Sequence, residues 1–214
     1  MNQYNFKIKI IDDFLNDDHF NELISIKLKK EVDKNKMQVY HNSIDKNFNT
    51  TSSTINSDLL VSLQKKYHSK AIEVLKELSP EKVKLYDYSE FVLIETGSNY
   101  KFPIHDDTSN KLLSGVIYIK PEINSGTLFY ANKNGDKKKQ IDWKINRAVF
   151  FSRKEQTTWH SFEGDGKSNR IALVYNLMTN RIKEVYKAEN KNYLLGQFRF
   201  YINPYLYKYF KFVI

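Results

Sequence analysis

The 214-residue sequence predicts an α+β fold, a β-sandwich or jelly roll with helices packed on one of its sheets. Three observations predict it. Apolar residues recur at helical spacing in two stretches of the first 80 residues, 20–28 and 59–78. From residue 83 the period drops from 3.6 to 2. The strand-like runs that follow are short, and Gly, Pro, Asn and Asp punctuate them.

Taken in order, residues 6–11 alternate as a strand should, with Phe6, Ile8 and Ile10 on one face. Residues 12–18 are rich in capping and acidic types and lead into a helix with Phe20, Leu23, Ile24 and Leu28 on one stripe. Residues 42–57 hold almost no apolar positions and predict a loop. Ser57 and Asp58 open a second helix, whose stripe runs from Leu59 and Leu60 through Leu63, Tyr67 and Ala71 to Leu78. Ser79 and Pro80 end it. Each helix has a single apolar stripe and needs a flat surface to cover it. Strands are expected at 83–95, 112–120, 126–131, 139–143, 147–152 and 169–178. Asn134-Gly135 predicts a two-residue hairpin turn, with the lysines at 137–139 as its solvated tip. Residues 180–191 suit a helix, and the aromatic-rich stretch from 198 has edge-strand character, through which a homodimer can form. The expectation is one domain over 1–214: helical support to about residue 80, a jelly-roll core over about 83–178, and a C-terminal extension over about 180–214.

Composition narrows the function classes. Hydrophobic residues at 41% and aromatics at 14% describe a folding sequence, not a disordered one. The absence of cysteine excludes disulfide frameworks, thiolate zinc sites and cysteine nucleophiles. No apolar run approaches membrane-spanning length, and the segment from Met1 to Lys7 has no signal-peptide hydrophobic region, so a soluble cytoplasmic protein without membrane contact is expected. The net charge of +9 raises nucleic acid as a partner, but only five of the 34 basic residues are arginine, and nucleic-acid binding is not expected.

The chemistry concentrates in His105, Asp107 and His160. Residues two apart on an extended segment face the same way, so His105 and Asp107 can share one metal. Asp106 is a competing carboxylate, which alternation turns outward. Two imidazoles and one carboxylate form the facial ligand set that suits iron(II) and leaves half of its coordination sphere open. A lone His-x-Asp is a weak signal, more often a loop pair than a metal site. His19 and His68, on predicted helices, read as structural; His41, Tyr100, Trp143 and Trp159 read as loop, core or pocket-wall residues, with Trp159 beside His160.

The order His105-x-Asp107, about fifty residues, His160, ten residues, Arg170 resembles the 2-oxoglutarate- and Fe(II)-dependent oxygenase superfamily. The flanking text over roughly 5–178 is most similar to its prolyl 4-hydroxylase-like branch. The resemblance implies a double-stranded β-helix (jelly roll) with the N-terminal helices packed on one sheet. It implies His105, Asp107 and His160 as Fe(II) ligands, Arg170 as the grip on the distal carboxylate of 2-oxoglutarate, and Tyr118 as its assistant. It also implies consumption of O₂, decarboxylation of 2-oxoglutarate to succinate, and hydroxylation of an unactivated C–H bond in a small molecule or peptide, such as a prolyl or other amino-acid residue. Departures are Ile94 and Glu95 where the family often has a tyrosine, and Ala172 where the penicillin-synthase-like branch has serine. The arginine pattern of the nucleic-acid dealkylating branch is absent, and Asp107 departs from the halogenating branch. The alternatives are a non-catalytic jelly-roll binding module and an oxygenase acting on nucleic acid.

Overall fold

The computed structural model describes residues 4, 6–28, 32–52 and 54–210. The first three residues of the N-terminal segment and the last four of the aromatic tail, both read above, lie outside them. In chain order the first half holds β1 (Ile8–Ile11), α1 (Asp17–Ser25), β2 (Met37–Tyr40), β3 (Ser43–Asp45), β4 (Thr50–Thr51), α2 (Ser57–Leu78), a 3₁₀ turn (Pro80–Leu85), β5 (Tyr88–Thr96) and β6 (Lys101–His105). The second half holds β7 (Lys111–Lys120), β8 (Leu128–Phe129), β9 (Lys139–Gln140), β10 (Ala148–Phe151), β11 (His160–Glu163), β12 (Arg170–Met178), α3 (Ile182–Ala188) and α4 (Tyr193–Phe210).

The strands form two antiparallel sheets. The larger runs β1-β10-β7-β12-β5-β3-β4, with β2 also paired to β5; the smaller runs β6-β11-β8-β9. Alternation gives the large sheet two faces. Leu93, Leu113, Ile117, Phe150, Leu173 and Tyr175 point to one and join the helices in the main core. Helix α2 supplies the cover its sequence promised, with Leu60, Leu63, Ala71 and Leu75 fully buried. Burying a leucine side chain contributes about 1.5–3 kcal/mol, so this single stripe anchors the helix. Asn56 caps α2 by accepting the Leu59 N–H at 2.7 Å, and the helix opens at Ser57 as expected. Asn16 caps α1 and is itself held by the Tyr67 hydroxyl of α2 at 2.8 Å. His19 bridges Tyr67 and Ser62 at 2.9 and 2.8 Å, and His68 lies against the Tyr86 ring, both structural as expected.

Four expectations need correction. Residues 42–57 contain β3 and β4, which polar side chains organise: the buried Asn42 amide donates to the carbonyls of Tyr40 and Phe91 and accepts from the N–H groups of Thr54 and Ile55. Such order carries no apolar period. The strand expected from 83 begins at Tyr88, because Pro80 starts a 3₁₀ turn that buries Lys82 and Leu85. Asn134-Gly135 is not a two-residue hairpin: Phe129 pairs with Lys139 across a wider loop, in which the Asn132 side chain accepts from the Asn134 and Asp136 N–H groups. Gly135 there has φ of +88°, which glycine adopts without strain. Lysines 137–139 are exposed, as expected. Finally, the aromatic tail is helix α4 through residue 210 rather than an edge strand.

Candidate metal centre

The second face of the large sheet looks toward the small one, and the site lies between them. His105 ends β6 and His160 begins β11, and these two residues are paired directly across the strands. Neither strand was expected from the sequence; His160 was placed just before β12, whereas it opens a strand of its own. Their rings stand 4.2 Å apart, centroid to centroid. Asp107 lies just beyond β6, and donor atoms from all three side chains fall within 4.8 Å of one another.

Their surroundings fix which atoms are offered. His105 Nδ1 lies 3.0 Å from the Pro103 carbonyl and His160 Nδ1 lies 2.9 Å from the Thr158 carbonyl. A carbonyl only accepts, so each Nδ1 carries the proton and each Nε2 lone pair is left for a ligand. Burial pulls the His105 imidazole down to about 3, with His160 adding to the effect, and burial likewise lowers His160. Burial alone would raise the Asp107 carboxyl, but Lys111, His160 and His105 hold it well below the usual carboxylate range. Two neutral imidazoles and an ionised carboxylate are the protonation state metal ligation requires. The Ser114 hydroxyl donates to Asp107 Oδ2 at 2.6 Å, and Lys111 Nζ donates to Oδ1 at 2.7 Å. Asp106, expected to point outward, is half-buried instead and accepts the Gln156 N–H at 2.7 Å. Burial pushes its carboxyl up to about 6.

Arg170, at the start of β12, shares the same cavity, whose volume is about 230 Å³. Arg170 is 3% exposed; its guanidinium sits 4.2 Å over the Phe162 ring and 5.3 Å from Trp143 and, among the described residues, donates once, to the Ser125 carbonyl at 2.9 Å. No carboxylate pairs with it among the described residues, and its Nε has no partner. Burial pulls it down to about 10, so it keeps its charge at neutral pH. A buried, unpaired guanidinium is costly unless an anion meets it.

Tyr118 is not among the residues that line the cavity. It is fully buried, stacks on Trp143 at 4.3 Å, donates to Thr127 Oγ1 at 2.9 Å and accepts the Thr127 N–H at 2.8 Å. Thr127, not Tyr118, lines the cavity. Trp159 packs with Leu128 and Tyr130 in a separate cluster, and Tyr100 approaches the aromatic rings of Phe102 and Phe162; neither lines the cavity, but His41 does. Sequence reasoning missed Ser114, Lys111, Thr127 and Phe162. Alternation with Val116 and Tyr118 would have placed Ser114 on a shared strand face.

No family model matches the chain, and no curated protein matches it. Solved structures do. A prolyl-4-hydroxylase from Pseudomonas putida is similar at a TM-score of 0.52 and 11% identity, over 82% of this chain and 94% of that one. An oxidoreductase of the 2OG-Fe(II) oxygenase family from Burkholderia pseudomallei gives 0.56 and 9%, over 80% and 84%. A Trichoplax adhaerens prolyl hydroxylase, solved with a hypoxia inducible factor oxygen degradation domain peptide fragment, gives 0.52 and 15%, over 84% and 86%. The chain has the fold of these proteins.

Proposed function

We propose that the chain is a non-haem Fe(II) dioxygenase that couples decarboxylation of 2-oxoglutarate to hydroxylation of an unactivated C–H bond. One observation carries the reading: three clustered donors suited to iron(II), two of them buried and His105 half-buried, share a cavity with a buried guanidinium that has no carboxylate of its own among the described residues. The fold likeness supports it, and the two sheets are read as a double-stranded β-helix with the helices on its larger sheet. His105 Nε2, His160 Nε2 and the Asp107 carboxylate would hold the iron, with Ser114 donating to Oδ2 and Lys111 to Oδ1 to fix that carboxylate in place. Arg170 would hold the distal carboxylate of 2-oxoglutarate, in a fork geometry that matches it.

When bound, the metal and 2-oxoglutarate supply the activation of O₂. One oxygen atom replaces the substrate hydrogen as a hydroxyl, the other ends in succinate, and CO₂ leaves. The C–H bond gives two electrons and the decarboxylation two. The chain's own work is to orient these groups and keep water out, which Val92, Val116, Val174 and Phe151 do by lining the cavity. The partners in this reading are a small-molecule or peptide substrate and a second copy of the chain meeting at α4, whose Phe198, Tyr201, Tyr205 and Phe210 are exposed. A cytoplasmic location belongs to the same reading. Among the described residues no helix is long and apolar enough to cross a membrane.

Anaerobic addition of Fe(II) and 2-oxoglutarate tests the proposal: a metal-to-ligand charge-transfer absorption is expected, and its absence would refute the reading. In Arg170→Ala the 2-oxoglutarate affinity, titrated through that band, is expected to fall at least about 30-fold, as when a buried charge pair is truncated by ~2 kcal/mol or more. Iron uptake should persist in that variant, whereas Asp107→Ala should lose it.

A further inference from the structure

The cavity has a second pole, remote from Arg170, of which the proposed reaction uses Ser114 alone. Alternation along β12 turns Arg170, Ala172, Val174 and Asn176 toward the cavity. Register carries each row across the sheet: Val174 stands beside Val116 and Val92, and Asn176 beside Ser114 and Glu90. The floor is therefore a valine band between a guanidinium at one end and the row Ser114, Asn176, Glu90 at the other.

Ser114 is committed to Asp107. The other two residues of the row are not committed. Asn176 is 1% exposed and lines the cavity, and its side-chain Oδ1 has no partner among the described residues. Glu90 is half-buried, lines the same end, and has no counter-ion among the described residues. Lys111 faces this pole too, but Asp107 holds its ammonium at 2.7 Å. A sealed amide oxygen and a carboxylate without a counter-ion both call for a donor, and the carboxylate favours a cationic one.

We infer that the substrate is an aliphatic primary amine, its ammonium held by Glu90 and Asn176 and its chain laid along Val92, Val116 and Val174 toward the metal ligands. Glu90 and Ser114 are separated by two strand spacings of ~4.8 Å, roughly 10 Å in all, and Ser114 touches Asp107. An extended side chain of lysine length bridges that span and brings its methylenes to the triad. The cavity of about 230 Å³ must also take 2-oxoglutarate, which leaves room for an unbranched chain rather than a fused ring. The identity of the amine as a substrate rests on the oxygenase reading; its binding does not.

The test is calorimetric titration of the full chain with L-lysine, with N-acetyl-L-lysine N-methylamide, and with the norleucine counterpart of each, with and without anaerobic Fe(II) and 2-oxoglutarate. A lysine compound is expected to bind at least about tenfold more tightly than its norleucine isostere, as for a charge-assisted hydrogen bond. In the isosteric variant Glu90→Gln the preference should shrink below about threefold. Tighter binding of the free amino acid would identify a metabolite amine, and tighter binding of the capped form a peptide side chain; either upholds the inference. Equal binding of lysine and norleucine, or a preference untouched by Glu90→Gln, overturns it. A charge-transfer band with no lysine preference overturns this inference alone. A lysine preference in a chain that never develops the band upholds the amine site and overturns the oxygenase.

Discussion

Tyr118 donates to Thr127 Oγ1 and accepts the Thr127 N–H, so its hydroxyl is occupied in both directions. Thr127 Oγ1 receives that bond and must send its own hydrogen elsewhere, and it lines the cavity that Arg170 also lines. On the proposed reading Thr127 is the second donor to the distal carboxylate, and Tyr118 is a positioning residue acting through it. Thr127→Val is therefore expected to weaken 2-oxoglutarate binding about tenfold, the loss of one hydrogen bond to a charged group. Tyr118→Phe should weaken it less, about threefold, because Thr127 remains. Titrating the charge-transfer band in both variants decides the order; a larger loss for Tyr118→Phe would restore the role its sequence position implied. That His105, Asp107, His160 and Arg170 share one cavity was legible in the sequence, because the ligand set expected of iron(II) and the grip expected on a diacid admit few residue types. Thr127, Ser114 and Asn176 were not, because threonine, serine and asparagine occur everywhere. Only the strand register shows that Ser114 and Asn176 share one row with Glu90.

Elements differed in legibility according to how they are stabilised. Helix α2 could be read from its stripe, since burial of that stripe is what holds it. Strands β6 and β11, which carry both histidines, could not be read. Pro103 interrupts the alternation of the first, and the second is four residues long with two of them polar or charged besides the ligand. Their order comes from pairing with each other. Helix α3 is held in a different way again, through buried charge. Glu189, at its C-terminal end, accepts from Lys82 Nζ of the 3₁₀ turn at 2.7 Å and from Arg153 Nη1 at 2.7 Å. Arg153 also pairs with Glu155, and its Nε donates to the Asp107 carbonyl at 3.2 Å, so the network reaches the backbone of the candidate triad. Removing one member leaves buried charge uncompensated, and Glu189→Ala is expected to cost about 3–5 kcal/mol in urea unfolding at pH 7. Burial alone would raise the Glu189 carboxyl, but Lys82 and Arg153 outweigh it and hold it below its ordinary value. Its contribution is therefore full above the unfolded carboxyl's pKa, near 4.3, and lost as pH falls through the lower folded value. Unfolding series from pH 6 down to pH 3 should show the wild type losing its advantage over Glu189→Ala toward the acid end.

At the scale of the whole molecule the question is what the net charge of +9 does. Lysine accounts for most of it, and the fold employs all five arginines internally. Arg147 pairs with Asp12 at 2.6 Å, Arg181 with Asp87 at 3.1 Å and Arg199 with Glu155 at 3.4 Å; Arg153 and Arg170 are buried. No arginine is left over for the bidentate base contacts that read a sequence. The exposed lysines, among them 137–139, can attract a polyanion but not discriminate one, because point charges on flexible stems see phosphate alone. The exposed surface that stands out is instead apolar. Helix α4 exposes Leu194, Phe198, Tyr201, Tyr205, Tyr209 and Phe210, and it rests on α3 where Gly196 meets the Tyr186 ring too closely for any side chain. Two measurements separate the surfaces. Sedimentation velocity is expected to show self-association in the full chain that is lost in a chain ending at Asn192, since the exposed aromatic face goes with α4. A sedimentation coefficient unchanged by the truncation would remove α4 as the contact. Anisotropy titrations with unrelated oligonucleotides should give one common affinity, no tighter than about micromolar, falling linearly in log–log form with added salt. If one sequence were preferred tenfold at physiological salt, the lysines would be reading more than charge, and nucleic acid would become a substrate to consider in place of the amine.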